Sequence, residues 1–478
     1  MHGVHSPGIP YALRRMRRPR LAEQALGGRL LPVALTIGTG ILLSFTIVRY
    51  SSANNTGFKA APFLASLLVI VLGLGRERAV RNLSVFSPLT FATAVYFVMF
   101  VAVPLADLWF GNPTTFQQSW WPASWLAFYG ILAIFVGHAL PFHLVRRSRV
   151  DRMSARWRPG LARLLALVLL VVAALAVIQR IGGLAALPSY LSSFALRHRF
   201  VSSTTLTLVA ISLVGPAICL MAGSWLRRPT SGRFLSILFI WIPPALFISA
   251  YLGQRWRALS ILIALAAIVH LGNQKVSPAT LAGISVALVA LFLTIGLQRN
   301  VIGTQSQPRD VAGQGLYLNY VGVGHELSQF RELVITLDGV PDRLPFQSGK
   351  TFLSVIPNTS FPTSGFLYSS TFFPELHAIG SSVPTPLPGE LYLNFGVPGI
   401  LIGMLLYGAF LGMLEMYFHY TRNTIGGVLI YSYSLLPVAL ILRGDFTTFA
   451  GWYGVGLIGL VVALRFVQPD AAKPPRWG

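Results

Sequence analysis

The chain of 478 residues is 54% hydrophobic and 11% charged, with a mean hydropathy of +0.65 and a net charge of +23. Soluble globular proteins carry roughly 25% charged residues, so the composition excludes that class and points to an all-α polytopic membrane protein. Nucleic acid is excluded as the partner of the positive charge, because Lys and Arg sit in short connections between apolar runs. The single cysteine, Cys219, lies inside one of those runs, which excludes a disulfide framework and a cysteine-rich metal site.

Residues 1–29 read as a basic cytoplasmic tail, with His2 and His5 followed by Arg14, Arg15, Arg17, Arg18 and Arg20. The first apolar run has no obvious small-residue cleavage site after it, so it reads as a retained span. About twelve stretches of roughly 17–25 mostly apolar residues can each cross a hydrocarbon core of about 30 Å. In lipid every backbone polar group needs an internal partner, so each is expected to be a helix. The expected spans are 30–48, 58–74, 88–110, 121–145, 160–178, 203–225, 234–252, 256–272, 279–297, 390–417, 425–442 and 446–466. Nine thus lie in 30–297 and three in 390–466, followed by a cytoplasmic tail at 467–478.

Cytoplasmic loops attract Lys and Arg. With the N-terminus inside, the inner connections hold RERAVR (76–81), RRSRVDRMSARWR (146–158), RRPTSGR (227–233), Lys275 and Arg422. Both termini are then cytoplasmic. The exceptions gather on the outer face. Arg49 and Lys59 flank the first outer loop and read as snorkelling residues. The others are Arg180, Arg197, Arg199, Arg255, Arg257, Arg299, Arg309, Arg331, Arg343, Lys350 and Arg443, most of them near a span end.

The connection at 298–389 is far longer than the roughly 15 residues above which a structureless loop is unusual. It contains a helix-like run, LYLNYVGVGHELSQFRELVITL (316–337), and a Pro- and aromatic-rich stretch at 356–376. It reads as a folded extracytoplasmic subdomain. Residues 181–200 read as a short helix lying in the interface.

Two constellations could carry chemistry. Arginine is permanently charged and grips phosphate oxygens with a rigid fork, so the outer arginines suit an anionic ligand such as a diphosphate. Each also has the plainer reading of a loop or headgroup-binding residue. Glu390 follows Pro388-Gly389 at the start of a span. There it could complement the helix dipole, or act as a desolvated carboxylate that takes a proton from a sugar hydroxyl. His325, His377, Glu326, Glu332, Glu375 and Asp445 are further candidates for base or sugar contacts. Tyr368, Tyr392 and other aromatics could stack on sugar rings or anchor packing. The chain has no P-loop and no HExxH pattern. The first outer loop (49–59) has no acid, so no metal or other cofactor is expected, and the arginines would carry the charge stabilisation.

The stretches PFQSGKTFLSVIPN (345–358) and PGELYLNFGVPGILIGMLLYGAFLG (388–412), with GQRWR (253–257) and IGGLAAL…RHRF (181–200), resemble the Wzy-type oligosaccharide repeat-unit polymerases, the O-antigen polymerase family. The resemblance is best over 181–445. It departs where relatives have arginine after the Ile-Pro and a lysine-proline further on; here those places read Asn358 and Thr363-Ser364. It implies a GT-C-like, metal-independent glycosyltransferase of the bacterial inner membrane that lengthens undecaprenyl-diphosphate-linked oligosaccharides. Glu390, His377 and His325 would be catalytic candidates. Arg255, Arg257, Arg197, Arg199, Arg299, Arg443 and Lys350 would bind diphosphate; Tyr392, Asn394 and Tyr368 would contact sugar. Implied partners are lipid-linked oligosaccharides, membrane lipids, and chain-length regulator and flippase proteins, with no nucleic acid. The competing readings are an O-antigen ligase-type transferase, with a histidine base, and a flippase for lipid-linked sugars.

Overall fold

The computed structural model describes residues 60–81, 85–109, 117–144, 157–180, 205–251, 255–272, 329–356, 359–378 and 383–468, with Gly182, Gly183 and Ala185. The expected spans 30–48 and 279–297, both tails beyond 468 and before 60, and most of the 181–200 segment lie outside them. Of the described structure 84% is helical and none is strand.

The helices in chain order begin with α1 (Ala61–Arg81). Helix α2 runs through Pro88–Phe97, a π turn at Val98–Ala102 and Val103–Trp109. Helices α3 (Gln117–Ala139) and α4 (Pro159–Arg180) follow. Helix α5 joins Thr205–Ser212 to Val214–Arg227. Helix α6 comprises Ser231–Ser236, a π turn at Ile237–Trp241 and Ile242–Tyr251, and α7 is Arg255–Gly272. The segment between α7 and α12 contributes α8 (Gln329–Gly339), α9 (Lys350–Leu353), α10 (Ser364–Phe372) and α11 (Pro374–Ala378). The chain then returns through α12 (Leu387–Thr421), α13 (Ile425–Leu440) and α14 (Phe446–Val467). Six of these helices are long and apolar enough to cross a membrane, and three shorter apolar ones accompany them. The protein is a multi-pass, all-helical membrane protein.

Helix α13 is buried along nearly its whole length and packs against α2, α5, α7, α12 and α14. The closest approach in the bundle is between α3 and α12. A Cβ on Gly408 would stand 2.2 Å from the Ile134 carbonyl oxygen, and one on Gly412 would stand 2.4 Å from that of His138. On α3, a Cβ on Gly137 would stand 2.0 Å from the Leu405 oxygen. Two glycines four residues apart thus bring the backbones together, as small residues do between helices in lipid.

Helix α12 is broken near its start. Gly396 has φ 67° and ψ −155°, a conformation open to glycine, and Pro398 follows. Pro398 has no N–H to give the Asn394 carbonyl, and the Gly396 geometry frees the Leu393 carbonyl as well. Both are taken up by the loop before α9. Gln347 N donates to Leu393 O at 2.9 Å and Ser348 N to Asn394 O at 3.1 Å. The break therefore fastens the loop before α9 to the start of α12. Phe330 of α8 wedges edge-on between Trp120 of α3 and Phe63 of α1.

Gly408→Ala places a methyl against backbone that cannot rotate away. It is expected to cost at least about 3 kcal/mol, read as a lower Tm in detergent. Gly454→Ala, with open space beside it, should leave Tm unchanged or slightly raised.

Candidate functional site

Two carboxylates meet where α12 and α14 begin. Glu390 lies in the first turn of α12 and is fully buried. Its Oε1 accepts the Thr351 hydroxyl at 2.8 Å, and its Oε2 accepts Phe446 N at 2.7 Å. Phe446 is the first residue of α14, so Glu390 satisfies an N–H that has no partner within its own helix. Asp445, also buried, immediately precedes that helix. Its Oδ1 accepts the Ser364 hydroxyl at 2.9 Å and Thr385 N at 3.2 Å. Glu390 and Asp445 lie close enough for the charge of one to raise the proton affinity of the other. The positive ends of two helices thus converge on two carboxyl groups, which favours negative charge there.

Burial pushes the Asp445 carboxyl up to about 6, against the pull of its bonds from Ser364 and the backbone of Thr385 and Gly365. No side chain fits at residue 365, where a Cβ would stand 2.5 Å from Asp445 Oδ2.

Asn394 organises the same network. Its Nδ2 donates to Thr351 Oγ1 at 2.7 Å and to the Glu390 carbonyl at 2.8 Å, while its Oδ1 accepts Gly349 N at 2.9 Å. It is nearly fully buried and works as a brace for the loop.

Two buried arginines lie at the same end of the bundle. Arg443, two residues before Asp445, has its guanidinium 5.0 Å from the Trp256 ring centre. Arg257 has its guanidinium 5.1 Å from the Trp452 ring centre. The arrangement is reciprocal: α7 supplies Trp256 and Arg257, and the start of α14 supplies Arg443 and Trp452. Cation–π contacts keep both charges satisfied on their flat faces. Arg257 Nη1 and the Tyr433 hydroxyl are buried without a hydrogen-bond partner among the described residues. Both border a small cavity, lined also by Cys219 and Ser260, that has room for about one water.

Of the expected site residues, the structure joins Glu390 and Asn394 in one hydrogen-bond network, while Arg257 and Arg443 lie on Trp452 and Trp256. It places others apart from the acid pair. Lys350 is exposed at the start of α9. His377 on α11 sits edge-on to Phe366, with ring centres 4.7 Å apart. Tyr392 is half-buried against Phe346. Tyr368 is wholly buried, with no ring face open to a sugar, and its hydroxyl donates to Glu332 Oε2 at 2.6 Å. The side chains of Arg255, Arg197, Arg199, Arg299 and His325 lie outside the described residues. Sequence reasoning missed the pairing of Asp445 with Glu390, the roles of Thr351 and Ser364, and the two tryptophan platforms. The signals available were LRGDF, where an acid opens an apolar run, and GQRWR, where a tryptophan interrupts the arginines. Among the described residues no three His, Cys, Asp or Glu side chains gather as they would around a metal.

Glu332 is a second buried acid, in α8. Burial pushes its carboxyl up to about 7, opposed by the Tyr368 hydrogen bond and by Arg331. Because the folded value exceeds the unfolded one, this group costs nothing at low pH. Its cost grows as pH rises from about 4.5 and is complete above about 7, where it reaches about 3 kcal/mol. The protein should therefore melt at a lower temperature at pH 7.5 than at pH 5, and Glu332→Gln should flatten that difference by raising Tm at pH 7.5.

Comparison with protein families, with curated proteins and with solved structures found no match for this chain.

Proposed function

We propose that the chain is a GT-C-like membrane glycosyltransferase with twelve spans, acting on the outer face of a bacterial cytoplasmic membrane. In this reading it polymerises undecaprenyl-diphosphate-linked oligosaccharide repeat units into a surface polysaccharide. The observation that carries the reading is the buried acid pair, Glu390 and Asp445, where α12 and α14 begin, with buried Arg443 two residues before Asp445. The resemblance of 345–358 and 388–412 to the Wzy-type polymerases supplies the substrate class.

The lipid-facing surface of α12 supports the depth that this chemistry needs. Its exposed apolar residues run from Phe395 through Leu401, Ile402, Leu406 and Met413 to Tyr417. That stretch of helix rises about 33 Å, close to the thickness of a hydrocarbon core. Glu390 lies five residues before it, in the short first segment of α12 ahead of the break at Gly396.

In the reaction, an acceptor hydroxyl oxygen bonds to the anomeric carbon of the donor sugar. The bond from that carbon to the diphosphate oxygen breaks, and the electron pair leaves with the lipid diphosphate. The hydroxyl proton passes to the acid pair, with Glu390 as the base and Asp445 as its neighbour. Arg443 and Arg257 stabilise the charge that develops on the departing diphosphate. Arg257 Nη1, buried and unengaged, is a donor held ready for such charge.

The test uses purified protein in liposomes with defined lipid-diphosphate oligosaccharides, the products being scored as a mass ladder. Glu390→Gln should lower polymerisation about 10²–10⁴-fold, the range for loss of a general base. Arg443→Ala and Arg257→Ala should each abolish long products while the protein still inserts. Activity should fall on the acid side, where the buried acid pair takes up a proton and no longer accepts one from the hydroxyl. Normal product length in all three variants would refute the reading.

A further inference from the structure

The loop that braces the acid pair carries apolar side chains on its outer surface. Leu353, Val355 and Ile356 are each more than two-fifths exposed, in a segment outside the long apolar helices. Their position is fixed by packing on both neighbouring helices. Phe352 lies parallel to Phe395 of α12, with ring centres 6.2 Å apart, and edge-on to Phe446 of α14 at 5.3 Å. Phe395 is itself half-exposed and is the first residue of the lipid-facing band of α12. Val355 rests against Gly451 of α14; a Cβ there would stand 3.7 Å from its Cγ2. Gly451 shares one helix face with Ile458 and Val462, seven and eleven residues on, and both of these are exposed to the surroundings of the bundle. The loop therefore sits at the top of two apolar stripes that face lipid, and its own apolar residues continue them.

We propose that Lys350–Ile356 is immersed in the outer leaflet, with Leu353, Val355 and Ile356 among the upper acyl segments. Lys350, exposed three residues before Leu353, lies at headgroup level and meets lipid phosphate there, as a lysine at a membrane interface does. The partner of this surface is the bilayer. The inference is independent of the proposed glycosyl transfer. It gives Lys350 a lipid contact in place of the substrate contact expected from sequence. It also makes the neighbouring residue, Thr351, the tie between the membrane surface and Glu390.

The full-length protein suits a depth measurement, because its only cysteine, Cys219, is buried. Ile356→Cys, Val355→Cys and, as an aqueous control, Asp342→Cys would each be labelled with a nitroxide. Each would be reconstituted in phosphatidylcholine–phosphatidylglycerol liposomes. Collisions with oxygen, which concentrates in lipid, would be compared with collisions with a water-soluble nickel chelate. At 355 and 356 oxygen should dominate, and at 342, which is exposed on the subdomain, nickel should dominate. Val355→Cys decides the question if Ile356→Cys does not fold, and the reverse. Nickel dominating at both positions would place the loop in water. Low access to both reagents would mean that a protein surface, such as a second copy of the chain, covers it. Either result overturns the proposal, and neither bears on whether the protein makes polymer.

Discussion

The end of the bundle where α12 and α14 begin depends on one hydrogen bond across the chain, from Phe446 N to the Glu390 carboxylate. A buried carboxylate is costly to desolvate, and a buried helix terminus leaves its first N–H groups without partners. Each problem is the other's solution here. The bond ties the start of α12 to the start of α14, and Thr351, Ser364 and Asn394 extend it into the loop that crosses between them. Three segments far apart in sequence are thereby held in one polar cluster within an apolar bundle. Such a cluster is stable only when each member is satisfied.

The helical architecture was legible from composition and from the lengths of the apolar runs. Bilayer thickness sets span length, and the backbone in lipid has little choice but a helix. The expected span at 446–466 and the helix Phe446–Val467 nearly coincide. Boundaries slipped where a local feature outranked hydropathy. Helix α12 begins at Leu387 rather than 390 because its first turn is buried against the subdomain, not against lipid. The helix-like run at 316–337 is helical in its described part from Gln329, and α8 continues to Gly339.

The site was legible only in part, for a physical reason. Glu390 stood out because a lone acid beside an apolar run is conspicuous. Asp445 stood out less, because 55 residues separate it from Glu390 and nothing in the sequence says that two helix starts meet. Asn394 was singled out as a sugar contact, whereas its three hydrogen bonds all go to the loop and to α12. Tyr368 likewise faces Glu332 inside the subdomain. Polar and aromatic residues that brace a site share their chemistry with those that touch a ligand, so a sequence alone does not separate them. The reciprocal pairs Arg257–Trp452 and Arg443–Trp256 were similarly hidden. Each arginine was expected to join others around a diphosphate, and each lies on an indole from the opposite segment.

The glycine contact between α3 and α12 has a mechanical consequence. Gly137, Gly408 and Gly412 bring backbone against backbone along this stretch of the two helices. They form a stiff spine, and shear along it is blocked. Compliance is left to the opposite flank, where α4 packs chiefly on α5 and keeps only 28% of its apolar window inside the protein. A substrate that must part the bundle sideways would find the yielding wall there, while the acid pair, anchored at the head of α12, stays in place.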